Sequence, residues 1–141
     1  VRNARPKQVD GINFRSTLEA FCYSKLKAAN ITAEYETKKF LLLEGFHYPE
    51  ARFEDNGKTG YINRTEQKVR DITYTPDFVD PKGRWIIECK GYANERFPMK
   101  WKMFMEHLMK NGEPLPLLFV PRNQNQVLAT IAEIQNLIAP K

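Results

Sequence analysis

Thr73-Tyr74-Thr75-Pro76-Asp77-Phe78, Asp80-Pro81-Lys82-Gly83 and Trp85-Ile86-Ile87-Glu88-Cys89-Lys90-Gly91 follow one another almost without a break. The stretch reads as two strands joined by a tight turn. Pro76 holds Thr75 extended, and the Asp-Pro-Lys-Gly segment carries the residue types that reverse a chain. Side chains two apart on a strand share a face, so Glu88 and Lys90 point together with Ile86, while Trp85, Ile87 and Cys89 take the other side. One face builds a core and the other ends in charge. The returning strand brings Asp77 within reach of Glu88.

Two carboxylates held close resist ionisation unless a cation lies between them. A hard ion such as magnesium meets that need with few protein ligands and keeps coordination positions for water and phosphate oxygen. It polarises a phosphate and lowers the pKa of bound water, while a neighbouring lysine orients that water or offsets developing charge. Asp77, Glu88 and Lys90 are therefore a candidate set for phosphodiester hydrolysis. The plainer alternative is a charged pair on a solvated strand beside an ordinary Pro-Asp turn. Against it, the pair ends an apolar run instead of sitting on an alternating strand.

Upstream, Phe14, Leu18, Phe21, Cys22, Leu26 and Ala29 recur at helical spacing, with Asn13 as the expected N-cap. Glu19 falls at the border of that stripe, near Leu26, so it is a candidate third acid looking toward a strand end.

The ordered residues carry a resemblance. Phe14-Arg15-Ser16-Thr17-Leu18-Glu19, then Ser24-Lys25-Leu26 and Ala33-Glu34-Tyr35-Glu36, resemble the opening helix and first strand of phage endonuclease I, a Holliday-junction resolvase family of the PD-(D/E)xK superfamily. Thr73–Phe78 and Glu88–Gly91 resemble its next two strands. The resemblance spans most of residues 13–120. It implies a restriction-endonuclease-like core and a magnesium-dependent endodeoxyribonuclease, with manganese able to substitute and one or two ions per site. Carried over by position, Glu19, Asp77, Glu88 and Lys90 would be catalytic. Glu19, Asp77, Glu88 and the Cys89 backbone carbonyl would bind metal, and Glu34 would be an accessory acid. DNA is the implied partner, branched DNA being one substrate, with nicked, single-stranded or ordinary duplex DNA the alternative. A DNA-binding module without turnover is a third reading. Between Phe46 and Lys68 the sequence departs from the resolvases, whose corresponding link exchanges elements between subunits, so a homodimer stays open. The segment resembles instead the hairpin-like insert of small phage nucleases.

Composition agrees with one domain: 141 residues, 42% hydrophobic, net charge +5. The division expected is a basic, flexible tail over residues 1–13 and a nuclease domain over 14–141 with an insertion at about 47–68. Basic charge suits a polyanion. Arg2, Arg5 and Lys7 on the tail, Arg15 at the helix start, and Lys100 and Lys102 after the charged strand are the candidate DNA contacts. Cys22 and Cys89 fall on core faces and read as reduced thiols, which suggests the cytoplasm, a host's if the gene is a phage's. No apolar run is long enough to span a bilayer. There is no phosphate-binding glycine loop and hence no expected nucleotide cofactor, and neither His47 nor His107 is given a catalytic role.

The remaining pattern gives strands at about 35–46, 69–78, 84–90 and 115–120, and helices at 97–111, stopped by Gly112, and 123–138. The class expected is α/β: a mixed central sheet flanked by helices.

Overall fold

The computed structural model describes residues 7–92, 95–111 and 113–140. Arg2, Arg5 and Gly112 lie outside them. Thirteen elements follow in order: β1 (Lys7–Val9), β2 (Ile12–Phe14), α1 (Thr17–Ala28), β3 (Glu34–Tyr35), β4 (Phe40–Leu43), β5 (Phe53–Asp55), β6 (Tyr61–Asn63), β7 (Ile72–Tyr74), β8 (Phe78–Val79), β9 (Trp85–Ile87), α2 (Arg96–Lys110), β10 (Leu117–Phe119) and α3 (Gln124–Ile138). The class is α/β, with a four-stranded sheet in the order β10-β9-β8-β3. β10 runs parallel to β9, and the other pairs are antiparallel.

Each face of β9 buries a different core. Trp85, Ile87 and Cys89 join Phe14, Cys22, Leu26, Phe78, Val127 and Ile134, the side covered by α1 and α3. Ile86 joins Val79, Tyr74 and Phe104 on the side of α2. The two-residue periodicity of a strand thus separates two packed layers. Burial on both faces explains why Trp85-Ile86-Ile87 is continuously apolar, as is usual for a strand covered on both sides. The turn from β8 to β9 is held by Asp80, whose carboxylate accepts from the Lys82 and Arg84 backbone N–H groups and from the Arg84 side chain. Gly83, at φ +73°, supplies the left-handed residue the reversal needs.

Three expectations change around α1. Residues 7–14 are a β-hairpin, Lys7 opposite Phe14, where the sequence suggested a tail reaching residue 13. Asp10 and Gly11, both at positive φ, make the turn. Asn13 sits in β2, and Ser16 is the N-cap: its Oγ accepts from the Glu19 N–H at 3.1 Å and donates to Glu19 Oε2 at 3.2 Å. This side-chain cap, and not periodicity, sets the helix start. Phe14 fits the helical stripe by spacing alone; it is a strand residue that packs beneath Tyr23 and Tyr35.

The strand expected at 35–46 is two strands. β3 belongs to the main sheet, while β4 leaves it to pair with β7 as a separate ribbon. Glu36, at φ +51°, breaks the strand between them. Beyond an isolated bridge between Phe46 and Val69, the chain continues outward as the β5–β6 hairpin within the segment 47–68. No helix among the described residues is long and apolar enough to cross a membrane.

Candidate active site

The antiparallel register pairs Val79 with Ile86 and Phe78 with Ile87. Carried one step further, it sets Asp77 opposite Glu88 at the strand ends. Both side chains are buried, Asp77 at 1% exposure and Glu88 at 5%. The Asp77 Oδ2 accepts from the Cys89 N–H at 2.8 Å, which fastens the acid across the strands. Glu88 Oε1 accepts from the Tyr74 hydroxyl at 2.6 Å, and its Oε2 lies 3.6 Å from Lys90 Nζ. Lys90 Nζ also stands 4.7 Å from the centre of the Phe97 ring. Ladder bonds from the Glu88 and Lys90 N–H groups to the Phe119 and Pro121 carbonyls extend β9 past its last paired residue and hold this short charged segment straight.

Glu19 arrives from α1. It is 6% exposed, and its Oε1 accepts from the Tyr35 hydroxyl at 2.5 Å. The Ser16 cap that starts the helix, by donating to Glu19 Oε2, therefore also positions an acid beside the strand ends. Arg15, just before the cap, reaches into the same group. Its Nη2 is 3.1 Å from Asp77 Oδ1 and 3.2 Å from Glu36 Oε2, and its Nε is 4.0 Å from Glu19 Oε1. Four acids and two bases thus converge from α1, β3 and the β8–β9 hairpin.

Burial pushes the Asp77 carboxyl well above its ordinary value, reinforced by the Glu88 and Glu19 charges and opposed by the Cys89 N–H and Arg15. Burial also raises Glu88, against the Tyr74 hydrogen bond and Lys90. Burial works against the Arg15 charge, but Glu36, Asp77 and Glu19 outweigh it and hold the guanidinium protonated. Burial, with the Glu88 charge and hydrogen bond, raises Tyr74, which keeps it a proton donor to Glu88. The centre is short of positive charge.

Among the described residues no three His, Cys, Asp or Glu side chains gather into a group able to hold a metal ion. A magnesium-type ion fits a smaller set, because it keeps several waters and uses one or two carboxylates. Two buried carboxylates facing one another, both raised by burial, have the hard-oxygen chemistry such an ion takes.

The remaining candidates fall into two groups. Glu34 is exposed at the start of β3, paired to Val79, and it is Glu36 that reaches Arg15. Glu36 was missed because its direction depends on a left-handed residue that no short pattern announces. Tyr35 and Tyr74, the hydroxyl partners of the acids, were missed too; both neighbour motif residues, and a tyrosine beside a buried acid is the signal that could have found them. Lys7 is exposed in β1 and Lys102 on α2. Lys100 is partly buried, and its ammonium donates to the Thr73 carbonyl at 3.2 Å, tying α2 to β7.

A family model with the description "Protein of unknown function (DUF1064)" matches residues 2–114. The chain belongs to the DUF1064 family. That match takes in every residue of the acid cluster of this DUF1064 chain and ends before β10 and α3. No curated protein and no solved structure matches it.

Proposed function

We propose that this DUF1064 chain is a metal-dependent DNA endonuclease with a restriction-endonuclease-like core. The observation that carries the reading is the pair of buried acids, Asp77 and Glu88, each one residue beyond the paired Phe78 and Ile87, with the Lys90 ammonium 3.6 Å from Glu88. Asp77 and Glu88 would hold magnesium, or manganese in its place, as one or two ions. Glu19 and the Cys89 carbonyl, the other ligands the resemblance implies, are not gathered with them into one group and are not needed for an ion that keeps several waters. When bound, the metal supplies phosphate polarisation and a more acidic water.

The chain's own groups do the rest. Tyr74 and Tyr35 fix the rotamers of Glu88 and Glu19 through their hydroxyls. Lys90, between Glu88 and the Phe97 ring, positions water or offsets charge on phosphorus as the water oxygen bonds and the ester oxygen departs. Arg15, with 61% of its side chain exposed, can leave the acids for a phosphate oxygen. The exposed Lys7 and Lys102 are further DNA contacts, whereas Lys100 serves to anchor α2. Buried free Cys22 and Cys89 favour a reducing, cytoplasmic setting, in a host cell if the gene is a phage's.

One observation favours a second reading. Arg15 already lies among the acids as a cation, which would suit a DNA-binding module that no longer turns over. Labelled four-way junction, nicked duplex, intact duplex and single strand, incubated in parallel with magnesium and with chelator, separate the two. Cleavage only with magnesium supports the nuclease. Binding without cleavage on all four supports the module. Sedimentation on the bound DNA then decides between a monomer and the homodimer that paired incisions require.

A further inference from the structure

The β5–β6 hairpin is the outer end of an arm whose root is the candidate site. Nested antiparallel pairs run from Phe40 opposite Tyr74, through Phe46 opposite Val69, to Asp55 opposite Tyr61. Tyr74, at the root, holds Glu88. What binds the outer end of this arm therefore lies on a continuous backbone path to the acids.

The tip is built rather than loose. The Asn56 side-chain oxygen accepts from the Lys58, Thr59 and Gly60 N–H groups, Asp55 accepts from the Gly57 N–H, and the Gly57 and Gly60 φ angles are positive. On one face of the two strands, Glu54 is clamped between Arg52 at 3.6 Å and Arg64 at 3.0 Å. On the other face two aromatic rings stand in solvent. Phe53 is 52% exposed and Tyr61 77% exposed, and their centroids are 6.0 Å apart at an interplanar angle of 24°. Keeping two stacked rings outside any core wastes apolar surface unless a flat partner covers them.

We infer that this aromatic face stacks on unpaired bases of DNA, so that the substrate of the proposed nuclease carries a single-stranded segment beside the cut. The inference rests on the nuclease reading for its cleavage consequence, but not for the binding itself. Three features select bases over a protein surface. The rings share their face with Asp55 and Asn63, so the patch is not the continuous apolar area a protein partner needs. Stacked aromatic side chains offer the flat platform that any unpaired base can use, while a base inside a duplex cannot. The exposed cations suit phosphate: Lys58 at the tip and Lys68 and Arg70 at the base make no ion pair among the described residues and alternate with the exposed acids Glu50, Asp55 and Glu66, whereas Glu54 is already neutralised. Phe46 and Tyr48, nearer the root, are also about half exposed and offer a second stacking position on the way to the site.

The test is fluorescence anisotropy of the full chain in chelator, with a labelled single strand of DNA, a blunt duplex of equal length, and the same single strand as RNA. Wild type should prefer single-stranded DNA to duplex. Tyr61→Ala and Phe53→Ala should each weaken single-strand binding by roughly tenfold, the loss of one base stack, with duplex binding unchanged. Tyr61→Trp should retain it. Both positions are exposed, so unchanged thermal melting is expected and serves as the folding control. Equal binding by variants and wild type, equal loss on duplex, a preference for RNA, or conversion of a wild-type dimer to monomer by Tyr61→Ala would each overturn the inference. Because no metal is present, a failed nuclease leaves this result standing, and intact cleavage with no single-strand preference sinks the arm alone.

Discussion

Arg15 Nη2 lies 3.1 Å from the carboxylate of Asp77, a side chain 1% exposed. The guanidinium is the cation nearest the acid that burial has pushed furthest toward its neutral form, and it comes from the solvent side. A divalent ion and Arg15 would therefore compete for the same charge. Arg15→Gln is expected to lower metal-free stability at neutral pH by about 1 kcal/mol, a figure kept small because a largely exposed guanidinium is screened by water. Magnesium should then raise the melting temperature more in the variant than in wild type. An identical magnesium-induced rise in both proteins would show that Arg15 does not share the acids with a metal.

Asp77 also predicts a pH dependence. Its folded pKa is well above 3.8, so between that value and the folded one the native protein holds a proton the unfolded chain has released. Stability must fall as pH rises through this window, and Glu88 acts in the same direction. Asp80 has the opposite shift, but its contribution is complete once pH is well above 3.8. Urea unfolding in chelator should show a fall in stability as pH rises from the acid side through neutrality. Asp77→Asn should remove most of it. A flat profile in wild type would contradict the buried, facing acids.

Tyr74→Phe deletes one hydroxyl and leaves Glu88 Oε1 without its 2.6 Å donor. That hydrogen bond lowers the Glu88 pKa, so its loss should raise it further. The expected cost is roughly 1–3 kcal/mol at pH 8 and less at pH 5. If the chain cleaves DNA, the rising limb of its pH–rate profile should move to higher pH in the variant. A pH-independent loss of rate would assign Tyr74 a packing role only.

Gly45 carries the ribbon that supports the arm. Its N–H donates to Asp71 Oδ1 at 2.6 Å, and a Cβ there would lie 2.6 Å from the Val69 carbonyl oxygen. Neither backbone group can retreat without breaking the Phe46–Val69 bridge. Gly45→Ala should cost roughly 1–3 kcal/mol by overpacking and open residues 47–68 to limited proteolysis. Unchanged protection of that segment would mean the ribbon bends freely.

The legible part of this molecule was local. Alternation alone separated Trp85, Ile87 and Cys89 from Ile86, Glu88 and Lys90, and the two cores follow that division. Glu19 was visible at the edge of a helical stripe. What stayed hidden depends on contacts between distant segments. Phe14 has helical spacing, but the N-cap at Ser16 and the pairing of Lys7 with Phe14 make it a strand residue. Glu36 reaches Arg15 only because its backbone turns left-handed after β3. The departure of β4 from the main sheet is equally a tertiary matter, since Phe40 and Leu42 pack against the α2 side of the core.

The central claim is that Glu88, facing Asp77, serves phosphodiester hydrolysis. Glu88→Gln changes the charge of one side chain and keeps its shape, and Lys90 remains beside it. Cleavage of labelled branched and duplex DNA in magnesium should fall at least a hundredfold in this variant, while DNA affinity in chelator and the melting temperature stay at or above wild type. Cleavage at the wild-type rate by Glu88→Gln would contradict the account.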